Sequence, residues 1–215
     1  MYEESKRLLS LFGVPYIVAP AEAEAQCAQL ETSGLVDGVV TEDNDTFLFG
    51  GRHVYKNLFD PNRHVECYHM DDVEAELSVD RRKMIDLALL LGSDYTDGVH
   101  GVGIVNAMEI VTSFDEDAGG LEAFGKWARS WSEGTEATEE VHPRVRAYKR
   151  KHKAMRRGWV LSEGFPSAQV SRRRPVAVGT FAPLAPSPTR ILPAAPVVDV
   201  TYVTYVTLLR WSTPT

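Results

Sequence analysis

Two short apolar runs, residues 14–18 and 36–40, flank an alanine-rich run of strong helix formers, 21–30, that opens after Pro20 and closes near Gly34. Strand, helix, strand at this spacing leaves little freedom. A helical crossover joins parallel strands, so the first part of the chain predicts a parallel α/β sheet. Further extended pieces are expected at Phe47-Leu48-Phe49 and Val54-Tyr55, on either side of Gly50-Gly51. A short helix over 5–12, with Leu8, Leu9 and Phe12 on one face and Gly13 closing it, precedes the first strand.

Helices dominate beyond residue 70. A small helix is predicted over 70–77. A longer one over 81–91 has Asp80 as N-cap, Gly92 as its end, and Met84, Ile85, Leu87, Ala88 and Leu91 toward a core. A turn-rich stretch, 93–103, leads into another helix over 104–114, so helix, glycine turn, helix is the motif here. After a Gly- and Glu-rich surface segment, 144–159 predicts a basic amphipathic helix with Val145, Tyr148, His152, Met155 and Trp159 on one face. Seven of the twelve prolines fall in the last 41 residues, too closely spaced for helix or central strand, so an extended, poorly ordered tail is expected. Within it 198–206 alternates loosely and reads as a strand without an obvious partner.

Composition matters chiefly through charge. The net charge of −7 conceals a segregation: residues 1–141 carry −18 and residues 142–174 carry +10. An acidic block beside a short basic one suits a metal-dependent enzyme acting on a polyanion, and equally suits a solvated acidic surface plus a basic helix. No apolar run reaches the roughly 18 residues of a membrane span, so no membrane partner is expected. Cys27 and Cys67 are too few for a disulfide framework or a four-cysteine zinc site and read as reduced intracellular thiols. His69 and His100 lack metal-ligand spacing and are expected in surface or turn roles; Trp127, Trp131 and Trp159 are expected in the core rather than stacked on bases.

Two acidic pairs stand at i, i+2 spacing, Glu22 with Glu24 and Asp43 with Asp45, each at the exit of a predicted strand. In an open parallel sheet, ligands bind beyond the carboxyl ends of the strands. Residues i and i+2 of an extended segment point the same way, so Asp43 and Asp45 converge, whereas Glu22 and Glu24 do so only if the helix start is bent. Clustered carboxylates repel unless a cation is present. Mg²⁺ takes oxygen ligands, and two such ions about 4 Å apart stabilise the attacking and leaving oxygens of phosphodiester hydrolysis. Asp94, past the 81–91 helix, is a fifth candidate ligand. Acidic first turns and surface loops need no metal, and that reading stays open at this point.

Pro20-Ala21-Glu22-Ala23-Glu24-Ala25, Thr41-Glu42-Asp43-Asn44-Asp45 and Leu91-Gly92-Ser93-Asp94-Tyr95-Thr96-Asp97-Gly98, followed by Gly101-Val102-Gly103, resemble in order and spacing the signatures of the XPG/flap endonuclease family of structure-specific nucleases. The resemblance runs from about residue 5 to 169. It implies a partial parallel-sheet, PIN-like nuclease core over 1–80 (the family's internal region), a DNA-binding part with helix–two-turn–helix and basic helix over 81–162, and an irregular tail over 163–215. It further implies a Mg²⁺-dependent endonuclease, with Mn²⁺ as a substitute, that cuts DNA at single-strand/duplex junctions in repair, nucleotide excision repair foremost. Glu22, Glu24, Asp43, Asp45 and Asp94 would be both the catalytic residues and the ligands of two metal ions. Gly101, Val102 and Gly103 would grip a DNA phosphate, with K⁺ bridging there, and Arg144, Arg146, Lys149, Arg150 and Lys153 would hold the backbone. Repair proteins are expected partners, and Lys149-Arg150-Lys151-His152-Lys153 reads as a nuclear import signal, giving a nuclear location.

Nothing in the 215 residues resembles the family's N-terminal region, which contributes further aspartates, so a catalytically incomplete DNA-binding module is the alternative expectation. A third reading, an aspartyl-phosphate phosphatase, rests on the apolar strand before Asp43-Asn44-Asp45, but Phe47 stands where that chemistry places Thr or Val.

Overall fold

The computed structural model of the chain describes residues 2–14, 16–58, 60–133, 142–167, 197–199 and 207–209. Contacts divide the chain into two units, residues 1–81 with 174–215, and residues 82–173.

The first unit is a sheet with helices. Its elements are α1 (Tyr2–Leu11), β1 (Tyr16–Ile17), α2 (Ala23–Thr32), β2 (Gly38–Val40), α3 (Asp45–Phe49), β3 (His53–Lys56), β4 (Glu66–His69) and α4 (Met70–Leu77). Two late strands, β5 (Val197–Asp199) and β6 (Thr207–Leu209), complete a six-stranded sheet of order β1-β5-β6-β2-β3-β4. The expected strand-helix-strand start is present. The sheet is mixed rather than parallel, because β5 and β6 pair antiparallel with each other, β6 runs antiparallel to β2, and β4 antiparallel to β3; only β1–β5 and β2–β3 are parallel. The strand expected at 198–206 is thus two strands bracketing that stretch; 200–206 and most of the proline-rich segment lie outside the described residues. Cys27 and Leu30 of α2 pack with Val36 and Val39 in a buried cluster that Ile17 joins, which is the physical reason the crossover helix lies on the sheet.

Three expectations fail locally in this unit. Phe47-Leu48-Phe49 is helical, since α3 begins at Asp45 and is closed by Gly50 in the left-handed conformation at φ 101°. Leu8 and Phe12, expected on one apolar face of the first helix, are exposed. β4 carried no apolar alternation and was not foreseen.

The second unit is helical. It comprises α5 (Arg81–Leu91, whose first residue belongs to the first unit), α6 (Ile104–Ser113), α7 (Gly120–Glu133) and α8 (Pro143–His152), with 3-10 turns at Glu116–Ala118 and Met155–Gly158. Its core is aromatic. Phe114 and Phe124 meet edge-to-face at 5.5 Å between centroids, Phe114 meets Tyr148 at 5.4 Å, and Phe124 meets Trp159 at 5.5 Å. The surface segment expected after Phe114 is instead largely α7, which buries Leu121, Phe124, Trp127 and Ala128 along one face. Trp127 and Trp159 are core residues as expected, while the side chain of Trp131 lies outside the described residues. In α5 the fully buried side chains are Leu89 and Leu90, and Leu91 is exposed. The basic helix stops at His152, so Met155 leaves the buried face and is exposed, and Trp159 reaches the core from an extended residue. Phe165 is also buried, against Phe124, so this unit continues past residue 162. Among the described residues no helix is long and apolar enough to cross a membrane.

Candidate metal-binding and nucleic-acid-binding sites

At the exit of β2 the chain is turned by its own side chains. The Thr41 amide donates to the Tyr55 carbonyl at 3.1 Å and so extends the β2–β3 pairing by one residue. Thr41 Oγ1 accepts from the Asp43 amide at 3.0 Å, and Asp43 Oδ1 accepts from the Asp45 amide at 2.9 Å. Each short polar side chain bonds the amide two residues on, the local alternative to strand or helix that Thr and Asp favour. These two steps deliver Asp45 into the first turn of α3, with Asp43 and Asp45 both half-buried. The loop is stitched to the end of β3, where Glu42 Oε1 accepts from the Asn57 amide at 2.7 Å, and Lys56 Nζ donates to the Glu42 carbonyl at 3.0 Å and to Asn44 Oδ1 at 2.5 Å.

Glu22 and Glu24 sit at the start of α2. Glu22 occupies the N-cap position in extended conformation without a side-chain cap bond, and Glu24 is in the first turn, buried at 6% exposure. Carboxylates are favoured at this end of a helix by the backbone dipole. Asp94 belongs to the second unit. It is exposed, in the turn between Ser93 and Thr96, whose backbones exchange hydrogen bonds of 2.8 and 3.1 Å. The structure therefore joins Asp43 to Asp45 by a hydrogen bond and places Glu22 and Glu24 two residues apart across one helix start. All five fit a hard cation in donor type, being oxygen ligands only. Among the described residues, however, no group of three or more His, Cys, Asp or Glu is arranged to hold a metal ion.

Glu31 was not singled out from the sequence, yet its side chain is 4% exposed and serves three donors. Oε2 accepts from the Arg52 amide at 2.8 Å; Oε1 accepts from the His53 amide and from His53 Nδ1, both at 2.7 Å. This pins the end of α2 to the start of β3, across the α3 hairpin that carries Asp45. Helical spacing was the available signal, since Ala23, Cys27 and Glu31 fall on the buried face at steps of four.

In the second unit the two glycines of the 101–103 turn do different work. Gly101 has φ +87°, and a Cβ there would meet the Gly158 carbonyl at 3.0 Å and Trp159 Cδ1 at 3.2 Å, so the fold itself requires glycine. Gly103, the N-cap of the ten-residue α6, has φ −96°, and a Cβ there would meet nothing within 4 Å. Its bareness leaves the amides opening α6 approachable, while Val102 between the two is buried. On α8, Val145, Tyr148 and His152 are buried, and burial pushes the Tyr148 phenol well up from its ordinary value. Arg146, Arg150 and Lys153 are exposed and Lys149 half-buried. Arg144 is engaged with Asp115 at 2.6 Å, and Glu109 receives Lys151 Nζ at 2.5 Å and faces His152 Nε2 at 2.7 Å.

The family model described as the XPG I-region matches residues 13–94. The chain thus resembles the XPG family over its I-region. This I-region begins just before β1 and ends on Asp94, so all five candidate carboxylates lie inside it, while the glycine turn and α8 lie beyond. The chain is 48% identical over 168 residues to the DNA excision repair protein ERCC-5 homolog of Xenopus laevis, a match covering 78% of this chain and 14% of that protein. It is similar at 40% identity and a TM-score of 0.59 to the catalytic core of Rad2 solved in complex with DNA substrate, covering 79% of this chain and 52% of that one. A third likeness, at 28% identity and a TM-score of 0.52, is to the Holliday junction-resolving enzyme GEN1 solved with product DNA and Mg²⁺, covering 79% of this chain and 41% of that one. The chain thus spans about one seventh of the ERCC-5 homolog and about half of the Rad2 core. These neighbours are α/β nuclease cores, the fold class of this chain.

Proposed function

We propose that the chain is the I-region and DNA-holding part of a Mg²⁺-dependent, structure-specific DNA endonuclease that hydrolyses phosphodiesters at single-strand/duplex junctions during nucleotide excision repair in the nucleus, alongside other repair proteins. The observation that carries this reading is the Thr41–Asp43–Asp45 turn, which fixes two carboxylates at the exit of a buried strand inside the XPG I-region.

In this reading Asp43 and Asp45, with Glu22, Glu24 and Asp94, hold two Mg²⁺ ions, or Mn²⁺ in their place. When bound, such ions activate a water against the scissile phosphate and stabilise the leaving oxygen. The chain's own part is positional. Thr41 and Glu42 hold the loop so that the aspartates keep their orientation, and Glu31 holds the hairpin behind them. Gly103 admits a backbone phosphate to the amides of α6, with K⁺ at that turn, and Arg146, Lys149, Arg150 and Lys153 track the phosphates beyond.

A second reading is a module that holds DNA without cutting. It is favoured by the lack of any assembled group of three ligands among the described residues. Cleavage of a labelled bubble or flap DNA, with Mg²⁺ and with EDTA, decides between them. Metal-dependent cutting near the junction, abolished in Asp43→Ala with binding retained, is the expected result; salt-sensitive binding without cutting selects the second reading, and neither binding nor cutting overturns both.

A further inference from the structure

β3 and β4 bring a second chemical cluster together, away from the candidate metal ligands. The two strands pair antiparallel with His53 opposite His69 and Tyr55 opposite Cys67. Directly opposed residues, and residues two apart on one strand, share a face, so these four side chains lie on one side of the sheet. Cys67 Sγ is 3.1 Å from His69 Nε2. The His69 ring meets the His53 ring edge-on at 4.9 Å, and His53 is in turn held by its Nδ1 hydrogen bond to the buried Glu31 carboxylate. Tyr55 stands directly opposite Cys67 on the neighbouring strand. Burial first, and then the neighbouring sulfur, raise its phenol above its ordinary value.

We propose that Cys67 is a reactive thiol, a modification site for hydroperoxides, with His69 as its proton acceptor. An imidazole nitrogen within reach of a thiol can take its proton, and the thiolate so formed is the nucleophile. Access is provided by the fold. Cys67 is exposed on β4, the outermost strand of the sheet, whereas the other cysteine, Cys27, is buried. In the reaction His69 Nε2 takes the Cys67 proton and the sulfur attacks the terminal oxygen of the hydroperoxide. The S–O bond forms as the O–O bond breaks, and the departing alkoxide, or hydroxide from hydrogen peroxide, takes the proton back from His69. The sulfur is oxidised by two electrons to the sulfenic acid and the peroxide is reduced by two to alcohol or water.

The test uses the full chain. Iodoacetamide labelling rates at pH 7 are compared in the native and urea-unfolded protein, with the adduct located by peptide mass. Hydrogen peroxide is then added with dimedone to trap sulfenic acid. Native Cys67 is expected to react about tenfold faster than unfolded Cys67, to fall to the unfolded rate in His69→Gln, and to be the trapped position. A native rate at or below the unfolded one overturns the proposal, as does a rate unchanged in His69→Gln or trapping at Cys27. The wild-type ratio and the trapped position decide the matter if His69→Gln alters the fold by circular dichroism.

Discussion

Glu31 shows how much can hang on one buried carboxylate. Its two oxygens satisfy the Arg52 amide, the His53 amide and His53 Nδ1, so Glu31→Ala strands three donors at once. Hydrogen bonds to charged groups contribute more than neutral ones, and an orphaned buried donor costs its full desolvation, so a loss of about 3 kcal/mol is expected. Urea unfolding checks this, with a lowered midpoint at unchanged slope. Glu109 makes a pH-dependent contribution. The Lys151 ammonium that hydrogen-bonds to it, and His152 behind, hold its carboxyl below the ordinary carboxylate value against the opposing effect of desolvation. A carboxyl so depressed binds its proton less readily folded than unfolded, so it stabilises the fold above its unfolded pKa, and the gain drains away as pH falls through the folded value. The thermal midpoint is therefore expected to fall on acidification below about pH 4.5 in the wild type, and less steeply in Glu109→Gln. The acid pairs were legible from the sequence because spacing alone exposes them. Glu31 and Glu109 were not, because their importance lies in partners 21 to 43 residues away that no local pattern names.

At the scale of elements, the glycine turn separates folding from binding. Gly101→Ala places a Cβ at positive φ against the Gly158 carbonyl and is expected to lower stability by about 1–2 kcal/mol. Gly103→Ala meets nothing and sits at an ordinary φ, so the melting temperature is expected to hold while DNA affinity drops. Parallel melting and fluorescence-anisotropy measurements check both; a Gly103→Ala chain that binds as well as wild type removes the phosphate from α6. The same scale shows where reading by pattern fails. The run 47–49 reads as extended because Phe-Leu-Phe is apolar throughout, whereas the left-handed Gly50 and the Asp43–Asp45 turn make 45–49 a helix. The stretch 120–133 looked like surface because Gly and Glu dominate its beginning, yet Leu121, Phe124, Trp127 and Ala128 sit at helical spacing and are buried. By contrast α2, α5 and α6 were legible, since proline, Asp80 and glycine mark their limits and periodicity runs between them. Cys67 and His69, expected as a reduced thiol and a surface or turn histidine, meet because on a strand a separation of two suffices to share a face.

For the molecule as a whole, charge is the quantity that carries furthest. The first 141 residues are strongly acidic and residues 142–174 strongly basic, but the basic block is not all available to a ligand. Arg144 and Lys151 are engaged with Asp115 and Glu109, and Arg156 donates to the Trp127 carbonyl at 3.0 Å while stacking over its ring. Arg146, Lys149, Arg150 and Lys153 are the proposed phosphate contacts of this block. Each phosphate contact contributes about −0.9 to the slope of log affinity against log salt, so these four give about −3.6, and Arg150→Gln is expected to make the slope shallower by about one unit without changing sequence preference. Titrations at several salt concentrations measure this directly. The sheet order has a different consequence, one of timing. β1 and β2 precede in sequence the strands that lie between them, β5 and β6, and the helical unit falls in the stretch that separates the two pairs. The helical unit is therefore synthesised before the sheet can be completed, and β1 and β2 wait for β5 and β6.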